Sequence, residues 1–338
     1  MKSVKEREEF YSQEKEYIES LRPQDPGVFY RLCETGQYVC HMEIDLGLGE
    51  DSVEIAHIAD CHLNFANERD MSDAETPYTL ECRKAFRNGV TLPSTENALK
   101  ACAFSDATVV NGDILDYITY GTLDAVKEHI VDAFPDIMMT VGWHDMTKQM
   151  QTKRPNLLSD AQRQAMLQEI WPHDIHYYSR VIGKKITVVC LGTRLISYSA
   201  DFYDKLSAEI DRARREGRYI LIFQHEPLAT RRECDREVTP AFTRTNGYGV
   251  LRNFCDGEKI MAREGDPEEL TLRVYELLRS NADVVKGIFA GHYHNQFYTE
   301  IPAYTEKDGV REEAVIPQYV VHIAGVDDGG YLMRIILK

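Results

Sequence analysis

The sequence predicts an α/β fold with a largely parallel sheet. Short apolar runs alternate along the chain with stretches of helical periodicity, which is the pattern of βαβ units. The chain has 338 residues and is 43% hydrophobic, so it can form one large domain with a proper core. It contains no internal repeat and no linker rich in Pro, Gly or Ser that would divide it.

The chain opens with a highly charged segment. Residues 4–21 carry apolar side chains at helical spacing, and the sequence RPQDPG at 22–27 ends that pattern. We interpret the segment as a docking or capping helix. The predicted organisation is therefore an extension at 1–50, packed on the core, followed by a single domain at 51–338.

Seven apolar runs in this domain are typical of buried strands, and five segments between them have helical patterns. The strands are expected at 53–59, 107–112, 136–142, 185–192, 219–224, 284–291 and 319–325. The helices are expected at 94–104, 121–133, 159–170, 203–216 and 266–280.

Charge and composition narrow the class of partner. The net charge of -16 works against binding to extended nucleic acid or to anionic lipid. No apolar run approaches the roughly 20 residues of a membrane span, and the first residues lack the apolar region of a secretory signal. Eight scattered cysteines without a CxxC pair indicate buried thiols, and neither a disulfide framework nor a zinc ribbon. We expect a cytoplasmic protein with a small substrate and no membrane partner.

Acidic and imidazole side chains follow five of the predicted strands, where ligands of α/β proteins gather. They are Asp60 and His62, Asp113 and Asp116, His144 and Asp145, His225, and His292 with His294. Carboxylates and neutral imidazoles together are the ligands of Zn, Fe and Mn, whereas Ca or Mg would select a site made almost entirely of oxygen. A carboxylate such as Asp113 can bridge two ions about 3.5 to 4 Å apart, the spacing that suits displacement at phosphorus. The strand ends therefore outline a two-metal centre.

The ordered motifs D-x-H, G-D-x-x-D, G-x-H-D, H and G-H-x-H resemble those of the calcineurin-like metallophosphoesterase superfamily over roughly residues 53–325. The resemblance implies a four-layer α/β/β/α sandwich, in which two mixed β-sheets are flanked by helices. It also implies hydrolysis of a phosphoester by a metal-bound hydroxide at a dinuclear centre, with no organic cofactor. We favour a phosphomonoester of a small molecule or a nucleotide as substrate.

The resemblance assigns a role to each motif residue. The first metal would be held by Asp60, His62, Asp113 and His294, and the second by Asp113, His225 and His292. His144 takes the position of the catalytic histidine, with Asp145 fixing its tautomer and orientation, while Asp116 is expected to support the ligands without binding metal. The cofactors implied are two divalent or mixed-valence transition metal ions, Mn, Fe or Zn.

Trp143 departs from the family pattern, because the residue before the catalytic histidine is usually an Asn that binds the second metal. An indole N–H is only a donor and cannot coordinate a cation. We hypothesise that the second metal binds less tightly, or that Asn64 or Asn67 replaces the missing ligand. Two other interpretations stay open: Trp143 stacks on a substrate ring, or it packs against the protein.

Two rival functions follow from the same residues. The centre could cleave a diester, such as a cyclic nucleotide or a nucleic-acid end. Alternatively, Trp143 could have made the protein a weakly active or non-catalytic phosphate-binding module, although retention of the other nine motif residues argues against this. An Arg- and aromatic-rich insertion at 229–267, and a smaller one at 64–94, are candidate lids or specificity loops.

Four further residues have plausible metal or thiolate chemistry but are interpreted as structural. His57 lies within a predicted strand, and His173 and His176 lie outside the motifs, so we assign all three to packing, to the surface or to support of the site. Cys61 stands between two predicted ligands, but side-chain alternation points it away from them.

Overall fold

Two six-stranded sheets form the centre of the protein. The computed structural model describes residues 31–32, 38–71, 80, 90–146, 158–192, 201–228, 269–292, 294, 297–307, 309–321, 323–325 and 331–338. The strands are β1 (Arg31–Leu32), β2 (Tyr38–Ile44), β3 (Val53–Ile58), β4 (Ala107–Asn111), β5 (Met138–Thr140), β6 (Tyr177–Ile182), β7 (Ile186–Leu191), β8 (Tyr219–Gln224), β9 (Val285–Ala290), β10 (Phe297–Lys307), β11 (Val310–Val320) and β12 (Tyr331–Leu337). The helices are α1 (Thr91–Ala101), α2 (Tyr120–Val126), α3 (Asp160–Ile170), α4 (Phe202–Glu216) and α5 (Glu269–Arg279).

Both sheets mix parallel and antiparallel pairs. The first has the order β1-β2-β12-β3-β4-β5, in which β3, β4 and β5 are parallel. The second has the order β10-β11-β9-β8-β7-β6, in which β7, β8 and β9 are parallel. The parallel strands at the centre of each sheet are buried on both faces, which explains their nearly continuous apolar sequences.

The two sheets pack face to face. Ile55, Val109 and Met138 of the first sheet share one apolar core with Leu221 and Phe223 of the second. Alternate residues of the same strands point to the opposite faces, because successive side chains of a strand alternate in direction. One face of each sheet therefore forms the inner core.

Helices cover the two outer faces. Val110 and Ile58 of the first sheet pack in a cluster with Leu99 of α1 and Leu167 of α3. On the other side, strand residues of the second sheet pack with the apolar faces of α4 and α5. This arrangement of helix, sheet, sheet and helix confirms the predicted four-layer sandwich.

The helices agree closely with the predicted segments. α3 begins after Ser159, whose side chain accepts a hydrogen bond from the backbone N–H of Gln162 in a capping box. α4 ends at Gly217, whose left-handed φ of 62° stops the helix. Within the part of the chain that the structure describes, none of the helices combines the length and apolar character of a membrane-spanning segment.

The strand prediction is wrong in one place and incomplete in others. The strand expected at 319–325 is observed at Val310–Val320, where it forms a long hairpin with β10. The half of that hairpin nearest its turn is largely exposed and carries most of its charged residues, so the apolar pattern did not reveal it. β2 and β12, which pair in parallel within the first sheet, were also missed.

Some predictions concern residues outside the described part of the chain. The helix at 4–21 and the insertion at 229–267 lie there entirely, and the segment at 64–94 lies there in part. The division into an extension at 1–50 and a domain at 51–338 stays a prediction, although residues 38–44 of that extension form β2 of the first sheet. The four cysteines of the described residues, Cys40, Cys61, Cys102 and Cys190, are buried thiols.

Candidate metal centre

Five strand ends, three from the first sheet and two from the second, meet at one edge of the sandwich. The side chains that follow β3, β4, β5, β8 and β9 there are Asp60, His62, Asp113, Asp116, His144, Asp145, His225, His292 and His294. All except the half-buried His292 and His294 are buried. Long-range folding thus brings together every residue that the motifs single out.

The potential ligand atoms fall into two main groups. Asp60, His62 and His294 form one, and Asp113, His225 and His292 form the other. Within each group the nitrogen and carboxylate oxygen atoms all lie within 4.8 Å of one another. Asp113 and His62 also belong to a third such group with His144, so the two main groups are adjacent.

Each of the two central carboxylates is held by one oxygen and directed into the cluster by the other. Asp60 Oδ2 accepts a hydrogen bond from the backbone N–H of His292 (2.9 Å), and Asp113 Oδ1 accepts one from the backbone N–H of His144 (2.8 Å). Asp60 Oδ1 then lies 3.2 Å from His294 Nε2, while Asp113 Oδ2 lies 3.0 Å from His225 Nε2. The inward oxygens face imidazole nitrogens from distant parts of the chain.

Two imidazoles are oriented in the manner of metal ligands. His225 Nδ1 donates to the backbone carbonyl of Asn111 (2.9 Å), and since a carbonyl only accepts, the proton is on Nδ1. His62 Nδ1 donates to Asp116 Oδ1 (3.0 Å). In both rings Nε2 therefore turns its lone pair toward the cluster, as in metal sites where an outer acceptor fixes the tautomer.

Several inward-facing atoms lack the hydrogen bonds that burial normally requires. Asp60 Oδ1 and His225 Nε2 are fully buried and, among the described residues, have no hydrogen-bond partner. His62 Nε2 and His294 Nε2 approach to 2.9 Å, and two lone pairs at that distance repel unless a proton or a cation lies between them. A set of converging oxygen and nitrogen donors fits a transition-metal cation, so the residues present suit the cofactor that the motifs imply.

Backbone strain is concentrated at the same residues. In the described part of the chain, the non-glycine residues with positive φ are Asp60 (57°), His62 (48°), Asp113 (48°), His292 (76°) and His294 (53°). A residue with a Cβ rarely adopts this backbone conformation. It costs of order 1 to 3 kcal/mol and persists where the surroundings impose it. All five are predicted metal ligands, so the strain serves to aim them.

Glycines make room for the cluster. A Cβ on Gly142 would collide with Asp113 Oδ1 and with the His225 ring, and one on Gly291 would lie 2.6 Å from Ala59 Cβ and 2.5 Å from Asp60 Oδ2. Such distances are far below van der Waals contact. The glycines in the predicted G-x-H-D and G-H-x-H motifs are therefore needed for close approach.

The carboxylates and imidazoles of the cluster stabilise one another's charged forms. Burial opposes ionisation of Asp60, but the facing imidazoles, that of His225 first among them, hold the pKa of this carboxyl well below its usual range. Burial also opposes a charge on His225, yet the carboxylates of Asp113 and Asp60 hold the pKa of this imidazole well above its usual range. Buried carboxylates that stay ionised need a positive counterpart, which a bound cation supplies.

Comparison with known proteins agrees with this geometry. A family model described as calcineurin-like phosphoesterase matches residues 53–296. The chain belongs to this family. The predicted recognition is confirmed, and membership makes the protein a hydrolase of phosphoester bonds that depends on divalent metal ions.

Solved structures with a similar fold include three phosphatases or nucleotidases. A dimetal phosphatase from Danio rerio is 13% identical with a TM-score of 0.43, over 82% of this chain and 89% of that one. A 5′-nucleotidase precursor from Thermus thermophilus is 12% identical with a TM-score of 0.34, over 81% and 49%. The NAD nucleotidase of Haemophilus influenzae is 12% identical with a TM-score of 0.35, over 80% and 45%. The chain spans about half the length of these two nucleotidases. No curated protein sequence is a significant match.

The structure corrects the role predicted for Asp145. Its carboxylate accepts hydrogen bonds from the backbone N–H groups of Leu115 (2.8 Å) and Gly142 (2.7 Å), and so ties together the loops after β4 and β5. Burial, together with the charge of Asp113, raises the pKa of Asp145 to about 7. Asp145 does not orient the ring of His144, because its oxygens are directed at the backbone.

Asp116 orients His144 instead. His144 Nδ1 donates to the backbone carbonyl of Asp116 (2.7 Å) and lies 3.3 Å from Asp116 Oδ1. Burial lowers the pKa of His144, but the carboxylates of Asp113 and Asp116 outweigh it and raise the pKa above its usual value. Because Asp116 also holds His62, one residue supports two rings of the phosphoesterase site.

Trp143 packs edge-on against a neighbouring ring of the site. Its indole is half-buried and meets the ring of His144 at a centroid distance of 5.4 Å and an angle of 74°. Asn67 cannot replace the missing ligand, since its Oδ1 caps a short 3-10 helix through the N–H of Arg69. Asn64 stays near the site, with Nδ2 3.5 Å from Asp116 Oδ2.

The remaining residues behave as structural groups. His57 lies between the two sheets with its ring edge-on to Phe223 and Phe289, and burial lowers its pKa to about 3. Burial raises the pKa of the Cys61 thiol, which is inaccessible between the two ligands beside it. His173 Nε2 accepts the backbone N–H of Met139 in β5, a supporting contact within the first sheet.

The motifs did not reveal Asn111, whose side chain joins β4 to β3, β5, β8 and β9 below the cluster. Its side-chain amide lies within hydrogen-bond distance of groups in both sheets. A signal was present in the run ATVVNG, where a polar amide occupies the last position of an apolar strand.

Proposed function

We propose that this phosphoesterase hydrolyses small phosphomonoesters, nucleotides among them, at a centre that holds two cations. The observation that carries the proposal is the pair of adjacent donor groups, Asp60, His62 and His294 beside Asp113, His225 and His292. Two neighbouring sets of mixed oxygen and nitrogen donors suit two transition-metal ions such as Mn, Fe or Zn.

In this proposal Asp113 would help to hold both cations. Its Oδ2 faces His225, while its side chain also belongs to the donor group that contains His62. Asp60, His62 and His294 complete the first set, and His225 and His292 complete the second. When bound, the cations would activate water and polarise the phosphoryl oxygens, which is the chemistry such ions supply.

His144 would act on the leaving group. Hydrogen bonding of Nδ1 to the Asp116 carbonyl fixes the ring, and the nearby carboxylates favour its protonated form through the raised pKa. An imidazolium held in this way has the proton of Nε2 available for the leaving oxygen of the ester. Its positive charge would also stabilise the negative charge that develops on the phosphoryl group.

The proposed substrate class follows from the charge of the protein. The net charge of -16 opposes binding of long polyanions, whereas a small phosphate ester needs only local neutralisation by cations and His144. The cytoplasmic location stays a prediction from the composition.

Elemental analysis and a substrate comparison test the proposal together. We expect the purified protein to carry transition metal and to turn over p-nitrophenyl phosphate faster than bis-p-nitrophenyl phosphate. His144→Asn should lower kcat by roughly 10² to 10⁴-fold with little change in metal content, because it removes a proton donor and no ligand. Asp113→Asn should lower both kcat and the metal content.

The outcomes separate the candidates. Faster turnover of the diester would assign the centre to a phosphodiesterase. A metal-loaded protein whose turnover is indifferent to both substitutions would refute the catalytic proposal and favour a phosphate-binding module. Val181→Thr, at an exposed position on β6 away from the cluster, is the matched control and should leave turnover unchanged.

A further inference from the structure

A polar cluster is buried directly beneath the candidate metal centre, in the otherwise apolar core between the sheets. Its centre is Asn111, the last residue of β4, which is fully buried. The amide Nδ2 lies 3.0 Å from His57 Nε2, 3.0 Å from the carbonyl of Gln224 and 2.9 Å from the carbonyl of Phe289. The hydroxyl of Thr140 donates to Asn111 Oδ1 at 2.6 Å.

These contacts join the five strands that lead to the candidate ligands. His57, Asn111 and Thr140 belong to β3, β4 and β5 of the first sheet, and Gln224 and Phe289 belong to β8 and β9 of the second. Each contact lies one to four residues before the first motif side chain that its own strand delivers. A single side chain therefore reaches every strand end from which the centre is built.

Asn111 also contacts one ligand through its backbone. Its carbonyl accepts the Nδ1 proton of His225, so displacement of β4 would release the ring that faces Asp113 and Asp60. Side-chain and backbone contacts of the same residue thus hold both the strand of His225 and its imidazole.

The buried polar groups around Asn111 depend on its amide. Burying an amide costs free energy unless its donors and acceptor are satisfied, and here the carbonyls of Gln224 and Phe289 and the hydroxyl of Thr140 satisfy them. The directional hydrogen bonds of Asn111 also fix the distance and register between the two sheets, which the surrounding apolar contacts specify less sharply.

We propose that Asn111 is a positioning residue that holds the ligand sets of the two sheets at the separation required for two adjacent cations. The inference rests on the proposed two-cation function. Asn111 would act through the ligands and would itself contact neither substrate nor metal.

Cobalt titration tests the role without relying on turnover. Metal-free wild-type protein and Asn111→Leu are titrated with Co²⁺, and the visible absorption reports the affinity and the ligand geometry of each bound ion. We expect Asn111→Leu to bind the two ions with about ten- to a hundredfold weaker affinity, and with an altered spectrum, as is usual when support of metal ligands is removed. Val109→Ala, in the same strand and the same inner core, is the matched control. It should lower the melting temperature and leave the Co²⁺ affinity and spectrum unchanged.

Thr140 provides a milder pair of variants if Asn111→Leu folds poorly. Thr140→Val removes the hydroxyl that bonds Asn111 Oδ1 while conserving shape, and Thr140→Ser restores it. We expect Thr140→Val to shift the Co²⁺ spectrum and weaken binding, and Thr140→Ser to recover the wild-type spectrum.

The results distinguish this role from the proposed function. If wild-type protein binds fewer than two cobalt ions, the two-cation function fails, and the positioning role fails with it. If wild-type protein binds two ions and both Asn111→Leu and Thr140→Val bind them with wild-type affinity and spectrum, only the positioning role is refuted. The same conclusion follows if Val109→Ala weakens binding as much as Asn111→Leu does at equal loss of stability.

Discussion

Asp116 shows how one residue serves two neighbouring rings. Its side chain holds Nδ1 of His62, a candidate ligand, and its backbone carbonyl holds Nδ1 of His144, the candidate acid. The family resemblance implied this supporting place for Asp116, but it also implied Asp145 as the partner of His144, whereas the carboxylate of Asp145 bonds the backbone. Neighbours in sequence point in different directions along an irregular segment, so adjacency is weak evidence for side-chain contact.

Replacement of Trp143 tests how tightly the second cation is bound. An Asn at this position would supply an amide oxygen near His144 and the second donor set, which the indole cannot do. We expect Trp143→Asn to bind the second cation about tenfold or more tightly than wild type, because one ligand is added to the set. Metal content after dialysis against a mild chelator measures the effect.

Trp143→Phe is the control for this substitution. It conserves an aromatic ring beside His144 and adds no ligand, so its metal retention should match that of wild type. Equal retention of both ions by wild-type protein would contradict the idea that the second cation is weakly held.

At the scale of secondary-structure elements, the turns that follow the strands determine where the ligands point. Asp60 and His62 after β3, and Asp113 after β4, adopt left-handed backbone conformations that regular strands never contain. Backbone hydrogen bonds connect the turns, such as the one from the N–H of His62 to the carbonyl of Asp113 (2.9 Å). Strand ends and their turns therefore act as one rigid unit.

His57 on β3 predicts a pH effect on stability. Burial lowers its pKa to about 3 in the folded protein, against about 6.5 in the unfolded chain, so the unfolded state binds more protons between these values. Its contribution to stability is present above pH 6.5 and is lost as the pH falls toward 3. Between about pH 6.5 and pH 5, His57→Phe should therefore lose roughly 1.5 kcal/mol less unfolding free energy than wild type. Urea unfolding at the two pH values measures the difference.

Val109→Ala serves as the comparison for His57→Phe. It changes the same inner core and removes no ionisable group, so it should leave the wild-type slope with pH intact. Equal slopes for His57→Phe and wild type would show that His57 does not contribute to acid sensitivity.

At the scale of the whole molecule, the centre exists only because two sheets are packed face to face. Asp60 and Asp113 come from the first sheet, whereas His225, His292 and His294 come from the second. Each group therefore takes donors from both sheets, and cations bound there would hold the two sheets together. Metal binding and folding should consequently be coupled.

Removal of metal should destabilise the protein as a whole. A ligand present at about 100 times its Kd adds about 2.7 kcal/mol to the unfolding free energy, and chelation withdraws that contribution. We expect an excess of chelator to lower the melting temperature by roughly 5 to 10 °C, and Mn²⁺ to restore it. Differential scanning fluorimetry measures both steps.

Asp60→Asn is the control for chelation. It removes a central carboxylate of the first donor group, so its melting temperature should respond much less to chelator and to Mn²⁺. A wild-type melting temperature that is indifferent to chelator would contradict the coupling between cations and the sandwich.

The sequence by itself determined the parallel strands at the centre of both sheets and the polar residues that follow them. Apolar periodicity is a local property, since burial on one or both faces of an element selects side chains within a few residues. The runs at 53–59 and 219–224 therefore predicted β3 and β8 almost to the residue. The same local pattern identified His225 and His294 as candidate site residues.

Only the tertiary structure decided how those elements and residues meet. The pairing of β12 between β2 and β3, the support of His144 by Asp116, and the reach of Asn111 into the second sheet depend on groups far apart in sequence. Hydrogen bonds of this kind are set by distances and directions in space, which no local periodicity encodes. The sequence identifies the donor residues, and the packing of the two sheets determines which of them face one another.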